Sequence, residues 1–282
     1  MAKYVPDVST QRWVIISPTR LDRPQNTDSP AFDGCPFCPG SESHTPPEVY
    51  RIGPGEKDKP GWMVRVVPNK YSITDIHEVI IHSPDDKKDI ESLDPKQVER
   101  IVFTYRERYR AHEAEGHVLI FCNHGVIAGA SLSHPHSQLV VVPRQINFDA
   151  VLREPIMHVV EDSQFYTAYC PDFSQWPYEV WIAPKTTDKK FGDATDAEVS
   201  ALAMILQRTI KRIEKLSATP SFPFFHPDRP FEYNYYISHT TNWFLRIIPR
   251  YISRAGFELG TGVNVNVVNP QGAAEELRKV QG

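Results

Sequence analysis

The stretch His134-Pro135-His136-Ser137-Gln138-Leu139-Val140-Val141-Val142-Pro143-Arg144 has a counterpart later in the chain, Asn242-Trp243-Phe244-Leu245-Arg246-Ile247-Ile248-Pro249-Arg250. Each is a β-branched apolar run closed by Pro-Arg, as expected of a strand that stops where proline removes a ladder donor. Before each run the apolar spacing predicts one amphipathic helix. The first covers roughly Asp94–Glu115, with Pro95 just inside its start and Val98, Ile101, Val102, Tyr105 and Tyr109 on one face. The second covers Asp196–Leu216, with Val199, Leu202, Ala203, Leu206, Ile210 and Ile213 aligned. Ahead of the helices stand His77-Glu78-Val79-Ile80-Ile81-His82-Ser83-Pro84 and Tyr178-Glu179-Val180-Trp181-Ile182-Ala183-Pro184, two more strands ended by proline, with Glu78 and Glu179 in matching places. The repeated order predicts an α+β chain of two tandem units, each an antiparallel sheet with packed helices. The expected boundary puts an N-terminal unit at 1–146 and a C-terminal unit at 147–282. The copies differ in chemistry: the first has His134 and His136 where the second has Asn242 and Phe244.

Composition narrows the class. The 282 residues are 40% hydrophobic and 23% charged, enough to bury a core and too apolar for a disordered chain. The net charge of −4 argues against nucleic acid or an anionic membrane surface as a general partner. Asp7, Arg12 and Arg20 interrupt the N-terminal apolar run, so no signal-peptide core is expected there. No apolar run approaches the roughly 18 residues that would span a bilayer, and a cytoplasmic location is expected. The 25 Pro exceed the 14 Gly, which predicts many strand ends and rigid loops.

The residues able to carry chemistry cluster in the first unit. In an extended segment His134 and His136 project to one face, and Pro135 between them predicts a sheet edge or a strand start. A neutral imidazole is both a metal ligand and a nucleophile near neutral pH. Upstream, Asn123-His124-Gly125-Val126-Ile127-Ala128-Gly129-Ala130-Ser131 is rich in small residues, so its backbone amides can approach phosphate oxygens, with Ser131 and Gln138 as further donors. Cys35-Pro36-Phe37-Cys38 fits half of a zinc site, a redox dithiol or two inert thiols. Pro39-Gly40 follows at once and stops the helix a redox motif would open, which favours the metal reading. The other ligands would come from His134, His82, His44, His77 and Asp86. Arg20 and Arg23 have the spacing to grip a pyrophosphate together.

These motifs together resemble the galactose-1-phosphate uridylyltransferase family of the histidine-triad superfamily. The resemblance spans most of the chain: the Arg20-x-x-Arg23-Pro24 segment, the C-x-x-C, Val67-Pro68-Asn69-Lys70, the run from Asn123 to Gln138, and Ala255-Gly256-Phe257-Glu258. It implies that His136 is the nucleophile, assisted by Gln138 and Ser131. Cys35, Cys38 and His134 would bind one structural zinc ion. Arg20, Arg23, Asn69, Asn123, Gly129, Ser131 and Gln138 would hold the nucleotide and its phosphates. The implied partners are a nucleotide sugar, a sugar 1-phosphate and a second copy of the chain, since family members are homodimers in which Phe257 and Glu258 fall at sugar-contacting positions. The implied reaction moves a nucleoside monophosphate, UMP by overall resemblance, between hexose 1-phosphates through a nucleotidyl-histidine. The alternatives are an ADP-glucose or dinucleoside polyphosphate phosphorylase, and a nucleotide-binding zinc protein without activity. Two departures stand out. Asp86 occupies the place of the family's usual fourth zinc ligand, with His82 and His44 as substitutes. Thr187, Asn242 and Phe244 replace the ligands of a second metal, so none is expected.

Overall fold

A computed structural model describes residues 2–7, 12–22, 34–146 and 155–282. Two strands, β1 (Lys3–Asp7) and β2 (Arg12–Ile16), form a two-stranded antiparallel sheet of their own. The first half then contributes β3 (Tyr50–Ile52), β4 (Val64–Pro68), β5 (Ile76–Ile81), helix α1 (Pro95–His112), β6 (His117–His124) and β7 (His136–Val142). The second contributes β8 (Val159–Asp162), β9 (Tyr166–Tyr169), β10 (Val180–Pro184), helix α2 (Asp196–Ser217), β11 (Tyr233–Ile237) and β12 (Leu245–Pro249), before α3 (Gly256–Thr261) and α4 (Pro270–Lys279).

Each helix starts where its local chemistry dictates. The Asp94 carboxylate accepts from Lys96 N at 2.9 Å while Pro95 fills the first turn, where its missing N–H costs nothing. Thr195 and Glu198 cap α2 reciprocally. The apolar stripes of α1 and α2 are buried in one continuous core between the two helices and one face of the sheet.

The expected pair of antiparallel sheets is present as two five-stranded halves, joined edge to edge. The order is β3-β4-β5-β7-β6 followed by β11-β12-β10-β9-β8. The joint runs from Tyr233 opposite His124 to Ile237 opposite Ile120. Separate sheets would leave the backbone donors and acceptors of β6 and β11 unpaired at two apolar edges, and mutual pairing satisfies both. Sequence periodicity carries no information about which edges meet.

Strand register also corrects the matching of the halves. Gln138 lies opposite Val79 in β5, and Arg246, its counterpart, lies opposite Trp181 in β10. The residue equivalent to Glu179 is therefore His77, not Glu78. A one-residue slip turns a side chain to the other face of a sheet. Glu78 accordingly faces the helix side, where it pairs with Arg108 at 2.6 Å and His112 at 2.9 Å.

Candidate active site

Facing away from α1 and α2, the sheet carries the polar residues of the first half. His136 is the first residue of β7, which settles the effect of Pro135: the pair sits at the start of a central strand, not at an edge. His136 is buried, and its Nδ1 donates to the His134 carbonyl at 2.8 Å. Because a carbonyl can only accept, this bond puts the proton on Nδ1 and the lone pair on Nε2. The Phe37 ring meets the imidazole edge-on, with centroids 5.3 Å apart.

The Cys35-x-x-Cys38 turn lies against His134. His134 Nδ1 is 3.2 Å from Cys35 Sγ and 3.6 Å from Cys38 Sγ, while Nε2 donates to the Ser83 carbonyl at 2.8 Å. The second bond fixes the tautomer that presents Nδ1 to the sulfurs, an arrangement typical of metal-bound histidine. Burial pushes the Cys35 thiol up, but hydrogen bonds with His134 and Cys38 outweigh it and the net shift is downward. Cys38 is pushed up to about 12, by burial first, then by Cys35 and the adjoining Asp86 carboxylate. Two thiols, an imidazole and a neighbouring carboxylate suit a tetrahedral zinc donor set. The other ligand candidates serve elsewhere. His82 Nε2 bonds to Ser137 Oγ at 2.7 Å and Tyr105 OH at 3.0 Å, on the helix side. His44 is exposed, and His77 holds Gln138.

That contact between His77 and Gln138 gives His77 a different place from the one its sequence context implied. Its Nδ1 accepts from Ile73 N at 2.9 Å, so its Nε2 carries the proton and donates to Gln138 Oε1 at 3.0 Å. The Gln138 amide is thereby held with a known orientation, its NH2 group turned away from His77. Asn69, at the adjacent turn, accepts from Tyr71 N at 2.8 Å, and Arg20 donates to the Tyr71 carbonyl at 3.0 Å. Arg20 and Asn69 thus converge on one turn. Arg23 lies outside the described residues.

A cavity of about 420 Å3 opens beside His136, lined by Asn123, Gly125, Ser131, His134, Asp86, Asp89, His124 and Glu232 among others. The small-residue loop frames it, with Gly125 and Gly129 at φ of +90° and +86°, where only glycine is unstrained. The loop's amides are not all turned to the cavity. Val126 N and Ile127 N donate to the two oxygens of the Glu232 carboxylate at 2.8 and 3.0 Å. A side chain on Gly125 would come within 2.3 Å of Glu232 Cγ. Glu232, which carried no signal in the sequence, therefore occupies the anion nest expected for phosphate, and the Ser131 and Asn123 side chains also line the cavity. Asp89, Glu91 and His124 form a second group with closely spaced donor atoms, but Asp89 pairs with His124 at 3.0 Å and Glu91 accepts from Tyr233 OH at 2.9 Å. Phe257 and Glu258 sit on α3, Phe257 being 56% exposed, and neither lines the cavity.

Comparison with known proteins finds relatives along most of the chain. The family described as galactose-1-phosphate uridyl transferase, N-terminal domain, matches residues 74–142. An ADP-glucose phosphorylase from Arabidopsis thaliana is 27% identical over 97% of this chain and 92% of its own length. A galactose-1-phosphate uridylyltransferase from Thermotoga maritima is 26% identical over 96% of each chain. The crystal structure of the Arabidopsis thaliana ADP-glucose phosphorylase with bound ADP-glucose superposes with a TM-score of 0.73, covering 100% of both chains at 26% identity. Along nearly its whole length the chain is thus similar in sequence and fold to a galactose-1-phosphate uridylyltransferase and an ADP-glucose phosphorylase, and residues 74–142 match the N-terminal domain of the galactose-1-phosphate uridyl transferase family.

Proposed function

We propose that the protein is a nucleotidyltransferase in which His136 carries the nucleoside monophosphate between two phosphate-bearing molecules. The observation that carries this reading is the 2.8 Å bond from His136 Nδ1 to the His134 carbonyl, which leaves the lone pair on Nε2 beside the cavity. Nε2 attacks the α-phosphorus of a nucleoside diphosphate hexose, forming an N–P bond. The bond from the α-phosphorus to the bridging oxygen breaks, and its electron pair leaves with the hexose 1-phosphate. An acceptor phosphate oxygen then attacks the same phosphorus and returns the electron pair to Nε2. Positioning and charge stabilisation supply the rate, with Gln138, Ser131, Asn123 and Arg20 as the binding groups and Arg23 and Asn69 in support.

One zinc ion held by Cys35, Cys38, His134 and Asp86 would brace the loop whose His134 carbonyl orients the nucleophile. The domain boundary near 146 assigns these groups to the first half, with 147–282 as the partner half. Phe257 and Glu258, on the exposed α3, would reach the sugar in the site of a second copy, making the working form a homodimer.

UMP transfer from UDP-glucose to galactose 1-phosphate is the first reading of the substrate pair. The match to an ADP-glucose phosphorylase over 97% of the chain favours a second, AMP transfer from ADP-glucose to inorganic phosphate. Incubation with each nucleotide sugar separates them: intact-mass measurement should show one nucleotidyl adduct, labile to acid and stable to base. His136→Asn should show none and lose activity by about 10^4-fold or more. An adduct that survives in His136→Asn would refute the assignment. Metal analysis should find about one zinc per chain, lost in Cys35→Ser.

A further inference from the structure

The buried arginines Arg65, Arg106 and Arg246 and the partly buried Arg108 each meet a carboxylate within 3.0 Å. Arg250, half-buried just past the end of β12, meets none among the described residues. Of its five N–H donors one has a described acceptor, Asn234 Oδ1 at 3.1 Å, and its Nε is buried without a partner. The guanidinium is nevertheless held in place. It stacks on Trp176 at 4.7 Å, and Arg254 stacks on the same ring at 5.1 Å. Two cations share one ring, and burial, reinforced by Arg254, pushes the Arg250 pKa down against the opposing pull of Glu232. A guanidinium held this way with no carboxylate bonded to it, the nearby Glu232 carboxylate being taken by Val126 N and Ile127 N, costs free energy, and a bound anion lowers that cost.

The location says which anion. Asn234 Nδ2 donates to Asn123 Oδ1 at 2.9 Å and to the Ala128 carbonyl at 2.8 Å, which ties Arg250 to the loop beside His136. The strands run β7-β6-β11-β12, and Asn234 lies opposite Asn123 on the face that carries His136 and Gln138. At about 4.8 Å per strand, a guanidinium reaching back to β11 lies roughly 10 Å from the strand of the nucleophile. That is too far for the phosphate under attack and suitable for the phosphate beyond it.

We propose that Arg250, oriented by Trp176 and Asn234, anchors the phosphate group that leaves in the first step and attacks in the second, whether carried by a hexose 1-phosphate or by inorganic phosphate. The proposal deepens the nucleotidyl-transfer reading and rests on it. The same anchor serves both half-reactions, because the leaving group and the acceptor occupy one place.

Equilibrium titration of the full chain with glucose 1-phosphate, inorganic phosphate and glucose tests it. The wild type should bind both phosphates, and the tighter of the two identifies the natural acceptor class, while glucose alone should bind with no dependence on Arg250. Arg250→Gln should weaken phosphate binding by about tenfold or more and raise KM for the acceptor more than it lowers kcat. Arg250→Lys keeps charge but loses the planar fork and should lie between, at least about threefold weaker than wild type. If Arg250→Gln shows a native near-ultraviolet circular dichroism spectrum and binds both phosphates within twofold of wild type, the proposal is overturned. If that variant does not fold, unchanged binding by Arg250→Lys overturns it instead, and so does a wild type that binds neither phosphate. Adduct formation on the wild type is read separately, so failure of the nucleotidyl reading is distinguished from failure of the anchor.

Discussion

The two halves of the sheet put different chemistry on equivalent positions. In the first half, His77 Nε2 holds Gln138, and His136 follows at the head of the strand beside an open cavity. In the second, Glu179 accepts from Arg246 Nη2 at 2.9 Å, and Phe244 stacks on Trp181 with centroids 3.9 Å apart. All four of these second-half residues are buried. The scaffold supports either a solvent-reached polar site or a filled one, and the filling decides which half can act on a ligand. Asn242, in the place of His134, adopts a φ of +64° and spends its Oδ1 on Asp188 N at 2.7 Å, so it closes a turn where its counterpart faces two thiols.

That contrast fails if mutations in the two halves have the same kind of effect. The largest stability change is expected in the filled half. Arg246→Met leaves the Glu179 carboxylate buried without its partner and should cost about 3–5 kcal/mol, read as a lower denaturant midpoint. In the open half the equivalent change should appear in turnover. His77→Leu removes the donor that orients Gln138 and should lower kcat about 10^2-fold, with a far smaller loss of stability than Arg246→Met. A large stability loss with kcat preserved would give His77 the same structural role as Glu179.

The smallest effect tests the buried charge of Glu91, which accepts from Tyr233 OH behind the cavity-lining Asp89. Burial raises the Glu91 carboxyl from 4.5 to about 7, with Asp89 adding to the rise. The folded chain therefore keeps this proton where the unfolded chain releases it. The resulting cost is absent below the unfolded value, grows as pH rises through about 4.5 to 7, and is complete above that range. Glu91→Gln keeps an acceptor for Tyr233 and removes the ionisation. It should gain on the order of 2 kcal/mol at pH 8, roughly 4–8 °C in Tm, and little at pH 4. An equal gain at both pH values would show that charge is not the cause.

Much of this was legible in the chain. The stripes of α1 and α2 fall on the predicted faces because helical periodicity is local, and Cys35, Cys38 and His134 meet although His134 lies far along the chain from the cysteines. The residues that were misread depended on neighbours brought from elsewhere. His77 looked like a spare metal ligand, and only the register of β5 against β7 puts it under Gln138. Glu232 gave no signal, because its partners are backbone amides more than a hundred residues away, and backbone groups leave no trace in residue identity.

The sequence by itself determined the two long helices, the strands that proline ends, the asymmetry between His134-Pro135-His136 and Asn242-Trp243-Phe244, and the candidate groups for phosphate chemistry. These follow from residue type and short-range spacing. Only the tertiary structure decided that the two sheets are one, that Glu232 fills the amide nest, and that Arg250, with no ion pair among the described residues, lies on the face of the nucleophile. Those outcomes depend on which edges pair and in which register. They are fixed by satisfying backbone donors and burying charge across strands remote in sequence, where local pattern has no hold.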